Sequence, residues 1–139
     1  MIPVEQTILT PPLGNCFAAC LASILECPLE IVPHLTREEG ETDEGGARYW
    51  NRIREWLRPY NLDLGGWMVR EGGMIPSGYT VLTVDYGPWW HCVVAKDGEP
   101  VWNPDPRRDT APLPTKWVDW AVLYVRDPAR PVLRPGGGK

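Results

Sequence analysis

The sequence predicts an α+β fold, with helices in the first half of the chain and an antiparallel sheet in the second half. Three observations support this order. Apolar residues recur at helical spacing in two early segments, β-type apolar segments follow them, and glycine and proline turns separate these later segments. The chain has 139 residues, with 16 prolines and 14 glycines. We therefore expect a single domain built of short elements.

Two amphipathic helices are expected. The first begins at Cys16, because Asn15 is a favoured N-cap residue. Its apolar stripe consists of Phe17, Leu21, Ile24 and Leu25. The second covers residues 47–60 and is closed by Pro59; its apolar face consists of Tyr49, Ile53, Trp56 and Leu57. The acidic, glycine-rich segment 36–46 between them is interpreted as a solvated loop.

The second half of the chain is typical of strands separated by turns. The strand segments are 64–73, 78–87, 89–103 and 120–127. Within the third, Asp97-Gly98 is a strong hairpin signal that pairs Lys96 with Glu99. We expect one domain over residues 1–126 and a C-terminal tail, 127–139, that is disordered towards its end.

Composition and charge exclude several classes of function. The net charge is −4 and no stripe of lysine and arginine is present, which argues against nucleic-acid binding. The apolar runs are too short to span a bilayer, so no membrane association is expected. The first twelve residues show no secretion signal, and a cytoplasmic location is expected by default. The four cysteines are then expected to be free thiols.

One cysteine stands where a reactive thiol would be expected. Cys16 occupies the first position of a predicted helix, where the positive end of the helix dipole favours thiolate over thiol. A small buried core residue is the alternative interpretation. Cys20 and Cys27 are expected to be structural, and Cys92 is expected to face the core.

A histidine on the predicted hairpin supplies a base for this thiol. Without a bulge, the hairpin register places His91 opposite Pro104, between Asn103 and Asp105. Asn103 is the first candidate to orient the imidazole, and Asp105 is its competitor. The chain thus contains a nucleophile, a base and an orienting group in the order cysteine, histidine, asparagine. The backbone N–H of Cys16 would help to bind an oxyanion.

That order resembles the papain-like cysteine peptidase superfamily, and in particular small bacterial and phage-encoded proteins of that type. The matching segments are QTILTPPLGNCFAACLASILECPLEIVP, WLRPYNL and HCVVAKDGEPVWNPDP, which cover more than a third of the chain. The resemblance implies a papain-like fold in which the helix carrying the cysteine packs on a small antiparallel sheet carrying the histidine.

The resemblance also implies roles for individual residues. Cys16 would be the nucleophile, His91 the base and Asn103 the orienting residue. The oxyanion-binding amide would come from Gln6, which lies ten residues before the cysteine, or from Asn15. Independently of the resemblance, Trp89 and Trp90 flank the histidine and are candidates to line a substrate groove.

The expected function is a cysteine hydrolase that cleaves a peptide, isopeptide or other amide bond through an acyl-thioester. Its partner would be a protein or peptide substrate, and no metal or organic cofactor is implied. Two alternatives remain open. One is a catalytically silent protein-binding module, such as a phage or mobile-element factor. The other is a structural zinc protein with Cys16, Cys20, Cys27 and His34 as ligands.

Overall fold

The computed structural model describes residues 1–10 and 14–136, which form helices on one face of a five-stranded sheet. The helices are α1 (Cys16–Leu25), α2 (Arg37–Gly40) and α3 (Asp43–Leu57), with 3-10 turns at Leu29–Ile31 and Arg58–Tyr60. The strands are β1 (Leu62–Met68), β2 (Tyr79–Asp85), β3 (Trp90–Lys96), β4 (Glu99–Trp102) and β5 (Trp117–Val125). The predicted α+β layout is confirmed.

The sheet is antiparallel throughout, with the strand order β1-β5-β2-β3-β4. Helix α1 packs on β2 and β3, and α3 packs on β1. The core therefore lies between the helices and one sheet face, where Leu21, Ile53 and Val81 have almost no exposed surface. The opposite face has a smaller apolar cluster around Leu82 and Val93.

The β3–β4 hairpin has the predicted turn but not the predicted register. Asp97 and Gly98 both have positive φ, 51° and 87°, as the tight hairpin turn requires. Pairing then shifts by one residue, since Ala95 pairs with Pro100 but Val94 pairs with Trp102. The bulge-free register that was expected to place His91 opposite Pro104 is therefore wrong. A bulge fits here, because Pro100 has no N–H to donate to a regular ladder.

The acidic segment 36–46 is not the solvated loop that its composition predicts. It contains α2 and the start of α3, which are capped by the hydroxyl groups of Thr36 and Thr42. Glu39 is buried and accepts two 2.7 Å hydrogen bonds from Arg52. These bonds lower the pKa of Glu39 to about 2. The segment is thus fastened to α3 by an ion pair.

Both ends of the described chain lie against the domain. In the N-terminal arm, the N–H of Ile2 donates to Ser23 O, and the N–H of Gln6 donates to Pro104 O, just beyond β4. At the other end, the side chain of Asn61 bonds the backbone of Asp127 and Arg130. Residues 127–133 are therefore held by hydrogen bonds, the last of them from the N–H of Leu133 to Tyr60 O. The expected disorder at the end of the tail concerns residues 137–139, outside the described residues.

In the described ranges, 1–10 and 14–136, no helix is both long enough and apolar enough to cross a bilayer.

Two adjacent glycines at the start of α3 give a test of this packing. A Cβ on Gly45 would overlap the backbone of Glu39, whereas a Cβ on Gly46 would meet nothing within 4 Å. We expect Gly45→Ala to lower the free energy of unfolding by about 1–3 kcal/mol because of the overlap. Gly46→Ala, the matched control, should raise it by about 0.5–1 kcal/mol. Urea denaturation measures both, and equal stability of the two variants would contradict the described packing.

Candidate active site

Cys16 is the first residue of α1 and is partly buried. Asn15 precedes it at the N-cap position, but its side chain does not cap the helix. Its Oδ1 accepts hydrogen bonds from the N–H groups of Thr7 and Ile8, and its Nδ2 donates to the Thr7 hydroxyl. Asn15 therefore joins the N-terminal arm to the start of the helix. The side-chain cap inferred from its residue type is wrong.

His91, the second residue of β3, is oriented by Asn103. Its Nε2 lies 2.7 Å from Asn103 Oδ1, which also accepts the backbone N–H of Asp105 at 3.1 Å. Because a carbonyl oxygen cannot donate, the hydrogen must be on His91 Nε2. Nδ1 is then the ring nitrogen that can exchange a proton with a thiol.

Asp105, the competing candidate to orient the imidazole, is engaged elsewhere. Its carboxylate accepts hydrogen bonds from Nε and Nη2 of Arg107, at 3.0 and 2.8 Å. These bonds lower the pKa of Asp105. The carboxylate thus acts on His91 as a nearby charge, while Asn103 makes the direct contact.

The thiol and the imidazole line one cavity of about 290 Å³, which we call the imidazole pocket and define by Cys16, His91, Gln6, Trp89 and Trp90. The pKa of the Cys16 thiol is well below its ordinary value. The neighbouring Cys92 thiol, as a hydrogen-bond donor to the thiolate, is the largest cause. Burial opposes it, and the hydrogen bond and positive charge of His91 add to it.

The pKa of His91 is shifted in the opposite direction to that of Cys16. Burial lowers its pKa, but the interactions with Cys16 and Asn103 outweigh burial and raise the pKa above its ordinary value. A low thiol pKa beside a raised imidazole pKa favours thiolate and imidazolium over the neutral pair.

Gln6 lies in the imidazole pocket despite its distance from Cys16 in the sequence. The arm brings it there through the bond to Pro104 O and the attachment of Thr7 and Ile8 to Asn15. Among the described residues, its Nε2 donates to Ile8 O alone, at 3.0 Å, which leaves one amide hydrogen for another acceptor. Of the two oxyanion candidates, Gln6 faces the pocket, whereas the amide of Asn15 is engaged by the arm.

Both tryptophans predicted to flank the histidine line the imidazole pocket. Trp89 is 45% exposed and stacks on Tyr86 with ring centroids 5.7 Å apart. Tyr86 in turn meets the His91 ring edge-on at 6.1 Å. Trp90 is 60% exposed, so neither indole contributes to the core.

A second pocket, which the sequence analysis missed, adjoins the first at Cys16 and Trp90. We call it the aromatic pocket; its volume is about 240 Å³, and its apolar walls are Phe17, Leu35, Tyr49 and Trp50. The hydroxyl of Tyr49 donates to Pro33 O at 2.7 Å, which holds that ring in place. Phe17 and Tyr49 appear in the sequence only as members of apolar stripes, because periodicity cannot separate core side chains from pocket walls.

Cys92 is the second feature that the sequence analysis missed. It does face the helices, as its alternation with His91 predicts. There it lines the aromatic pocket together with Cys16, the candidate nucleophile. Its Sγ lies 3.9 Å from the Thr83 hydroxyl. Interaction with the Cys16 thiolate, followed by burial, raises the pKa of Cys92 well above its ordinary value.

The four residues of the zinc alternative are not brought together. Cys20 has no exposed surface and belongs to the core, and His34 Nε2 lies 3.3 Å from Leu29 O. Within the part of the chain that the structure describes, no three His, Cys, Asp or Glu side chains form a group suited to a metal ion.

Comparison of the chain with protein-family models, with curated proteins and with solved structures gave no match in any of the three.

The thiolate predicts a distinctive pH dependence of alkylation. Because its pKa is lowered, Cys16 stays ionised at a pH where ordinary thiols are protonated. Near pH 6, iodoacetamide should label Cys16 at least about tenfold faster than Cys20 or Cys27. Peptide mass spectrometry measures each rate.

Substitution of each histidine in turn shows whether the fast labelling of Cys16 depends on His91. His91→Ala removes a donor and a positive charge from the thiolate, so its pKa should rise and labelling of Cys16 near pH 6 should slow by about tenfold or more. His34→Ala, the matched control, should change nothing. Similar labelling of all four cysteines in the unmodified chain would contradict the lowered pKa.

Proposed function

We propose that the protein is a cysteine hydrolase that cleaves an amide bond through an acyl-thioester on Cys16. The observation that carries the proposal is the position of His91, which acts on the Cys16 thiolate and is bonded to Asn103 at 2.7 Å. A nucleophile, a base and an orienting amide in contact are the minimum set for this chemistry.

The steps follow from the charge states of the two side chains. The Cys16 thiolate attacks the carbonyl carbon of the amide, and the electron pair of the C=O bond moves to oxygen. When the tetrahedral intermediate collapses, the C–N bond breaks and His91 gives its proton to the leaving amine. Water then attacks the thioester with His91 as the base, which releases a carboxylic acid and restores the thiolate–imidazolium pair.

Two N–H donors are proposed for the oxyanion. One is the backbone N–H of Cys16 at the start of α1, where backbone donors have no partner within the helix. The other is the second amide hydrogen of Gln6, which lines the same pocket. Donors fixed before the reaction stabilise developing negative charge without reorganisation.

Each of the two pockets would hold the part of the substrate on one side of the scissile bond. His91 must reach the leaving nitrogen, so the amine side of the substrate lies in the imidazole pocket. The acyl side then extends past Cys16 into the aromatic pocket, which His91 does not line. An apolar cavity of about 150 Å³ is enough for a benzene ring. The aromatic pocket, about 240 Å³, therefore suits one large apolar side chain.

We also propose that the fold is papain-like. A helix that begins with the cysteine, packed on an antiparallel sheet that carries the histidine and the asparagine, supports a papain-like arrangement. The chain-order resemblance of Cys16, His91 and Asn103 is the second support.

Substitution in the triad is the direct test of hydrolysis. With N-acetyl-dipeptide aminomethylcoumarin amides as substrates, Cys16→Ala should abolish fluorophore release, and His91→Ala should lower kcat by about 10²–10⁴-fold. Asn103→Ala should lower kcat by about 10–100-fold through misplacement of the ring, whereas Asn103→Asp keeps the acceptor and should lose less.

Cys20→Ala is the matched control, because it removes a thiol of the same helix that does not face the pockets. It should leave kcat within about twofold of the unmodified chain. Equal activity of Cys16→Ala and Cys20→Ala would end the hydrolase proposal.

A variant on the wall of the aromatic pocket tests the substrate assignment. Gly46 lines this pocket and its Cβ position is open, so Gly46→Leu should partly fill it without disturbing the fold. For substrates with a large apolar acyl side chain, kcat/KM should fall by about tenfold, while small acyl side chains should be unaffected. Ala47→Leu, one residue further along the exposed side of α3, is the control. A uniform loss across substrates would contradict the assignment.

A catalytically silent binding module is the second candidate, and the exposure of Trp89 and Trp90 favours it. Such a module would keep its affinity for a peptide ligand in Cys16→Ala and lose it in a double Trp89→Ala, Trp90→Ala variant. Fluorophore release from the unmodified chain decides between the two candidates.

A further inference from the structure

Cys16 and Cys92 line the same cavity from two packed elements, α1 and β3. Cys92 faces the helices from the strand on which α1 packs, and both residues line the aromatic pocket. The Sγ of Cys92 also lies 3.9 Å from the hydroxyl oxygen of Thr83, its partner residue on the neighbouring strand β2. Two free thiols therefore line one cavity, and both side chains are partly exposed.

Cys20 and Cys27 do not line a cavity with Cys16. Cys20 has no exposed surface, and burial raises the pKa of its thiol well above the ordinary value. Cys27 is buried beyond the end of α1 and lines neither pocket. Cys92 is thus the thiol best placed to react with an oxidised Cys16.

We propose that Cys16 and Cys92 form a reversible intramolecular disulfide when a hydroperoxide oxidises Cys16. This inference rests on the same reactive Cys16 as the proposed hydrolase, and it adds a redox control of that residue. The disulfide would remove the nucleophile from the candidate active site and return it on reduction.

The reaction balances with hydrogen peroxide as the oxidant. The Cys16 thiolate attacks one peroxide oxygen, the O–O bond breaks, and Cys16 becomes a sulfenic acid while the other oxygen leaves as water after protonation. The Cys92 sulfur then attacks the sulfenic sulfur, an S–S bond forms, and the S–O bond breaks to release a second water. The proton lost by Cys92 enters that water, and the two sulfurs together supply the two electrons that reduce the peroxide.

The order of the two steps follows from the charges. Cys16 reacts first, because it is the thiolate, and Cys92 stays protonated beside it. Once Cys16 has become a neutral sulfenic acid, the largest cause that raises the pKa of Cys92 is gone. Cys92 then ionises more readily when its partner has become an electrophile.

A reversible disulfide also protects Cys16 from further oxidation. A sulfenic acid without a neighbouring thiol proceeds to sulfinic and sulfonic acids, which reductants such as dithiothreitol do not reverse. Cys92 therefore determines whether oxidation of Cys16 is recoverable.

The test is disulfide mapping in the full chain. The reduced protein is treated with hydrogen peroxide, blocked with N-ethylmaleimide and digested without reductant. Chymotryptic cleavage after Phe17 separates Cys16 from Cys20, so mass spectrometry can identify which cysteine is linked. The expected product is a Cys16–Cys92 cross-link that dithiothreitol removes. A Cys16–Cys20 cross-link, or Cys16 oxidised to sulfinic acid with Cys92 still free, would overturn the inference.

A conservative variant adds a second readout. Recovery is expressed as a fraction of each protein's own Cys16 labelling by iodoacetamide before peroxide, because Cys92→Ser also removes the largest cause of the low Cys16 pKa. After peroxide and then dithiothreitol, the unmodified chain should recover most of that labelling, while the recovered fraction in Cys92→Ser should be at least about tenfold smaller. Cys27→Ser is the control and should recover like the unmodified chain. Equal recovery in Cys92→Ser and the unmodified chain would also overturn the inference.

Labelling of Cys16 before oxidation distinguishes a failure of the disulfide inference from a failure of the hydrolase proposal. If reduced Cys16 labels rapidly but no Cys16–Cys92 link forms, the redox inference fails and the hydrolase proposal stands. If the link forms but no amide is cleaved, the hydrolase proposal fails and the redox inference stands.

Discussion

The contact between the first turn of α1 and the start of β3 is the interaction on which the candidate site depends. Small side chains take part in this contact, since Ala18, Ala19 and Ala22 have no exposed surface and α1 packs on β2 and β3. The helix N-terminus therefore meets the strand end that carries His91 and Cys92. The imidazole and the second thiol both act on the Cys16 sulfur because of this packing.

A partly buried thiolate needs compensation, and the surroundings of Cys16 supply it. Burial alone would raise the pKa of the thiol, but Cys92 and His91 reverse that effect. His91 in turn depends on Asn103, which is fixed by the backbone N–H of Asp105. This chain of hydrogen bonds orients the ring from the side opposite the thiol, so the reacting nitrogen is left free. The cavities on the two sides of Cys16 then present different chemistry to a bound chain: beside the imidazole, polar and aromatic side chains are mixed, and beyond Cys16 the walls are mostly apolar.

The sequence predicted the turns and helices that depend on residues close together in the chain. Asp97-Gly98 predicted the hairpin turn because it requires two positive φ angles, and the apolar stripe predicted α1. The parts that could not be predicted depend on contacts distant in sequence. The arm that returns Gln6 to the site is held by Pro104, and the hairpin bulge moves the register by one residue. The helices within 36–46 do not follow from composition, because the hydroxyl groups of Thr36 and Thr42 start them locally. Glu39 is buried because Arg52, 13 residues further along the chain, pairs with it.

The titration of His91 is the most direct test of a thiolate–imidazolium pair between Cys16 and His91. The chain has two histidines, so the imidazole resonances in a ¹H–¹⁵N spectrum can be assigned with a His34→Ala variant and followed against pH. We expect His91 to titrate above its ordinary pKa in the unmodified chain. In Cys16→Ala its pKa should fall clearly, because burial then acts without the thiolate. The same His91 pKa in both proteins would contradict the pair.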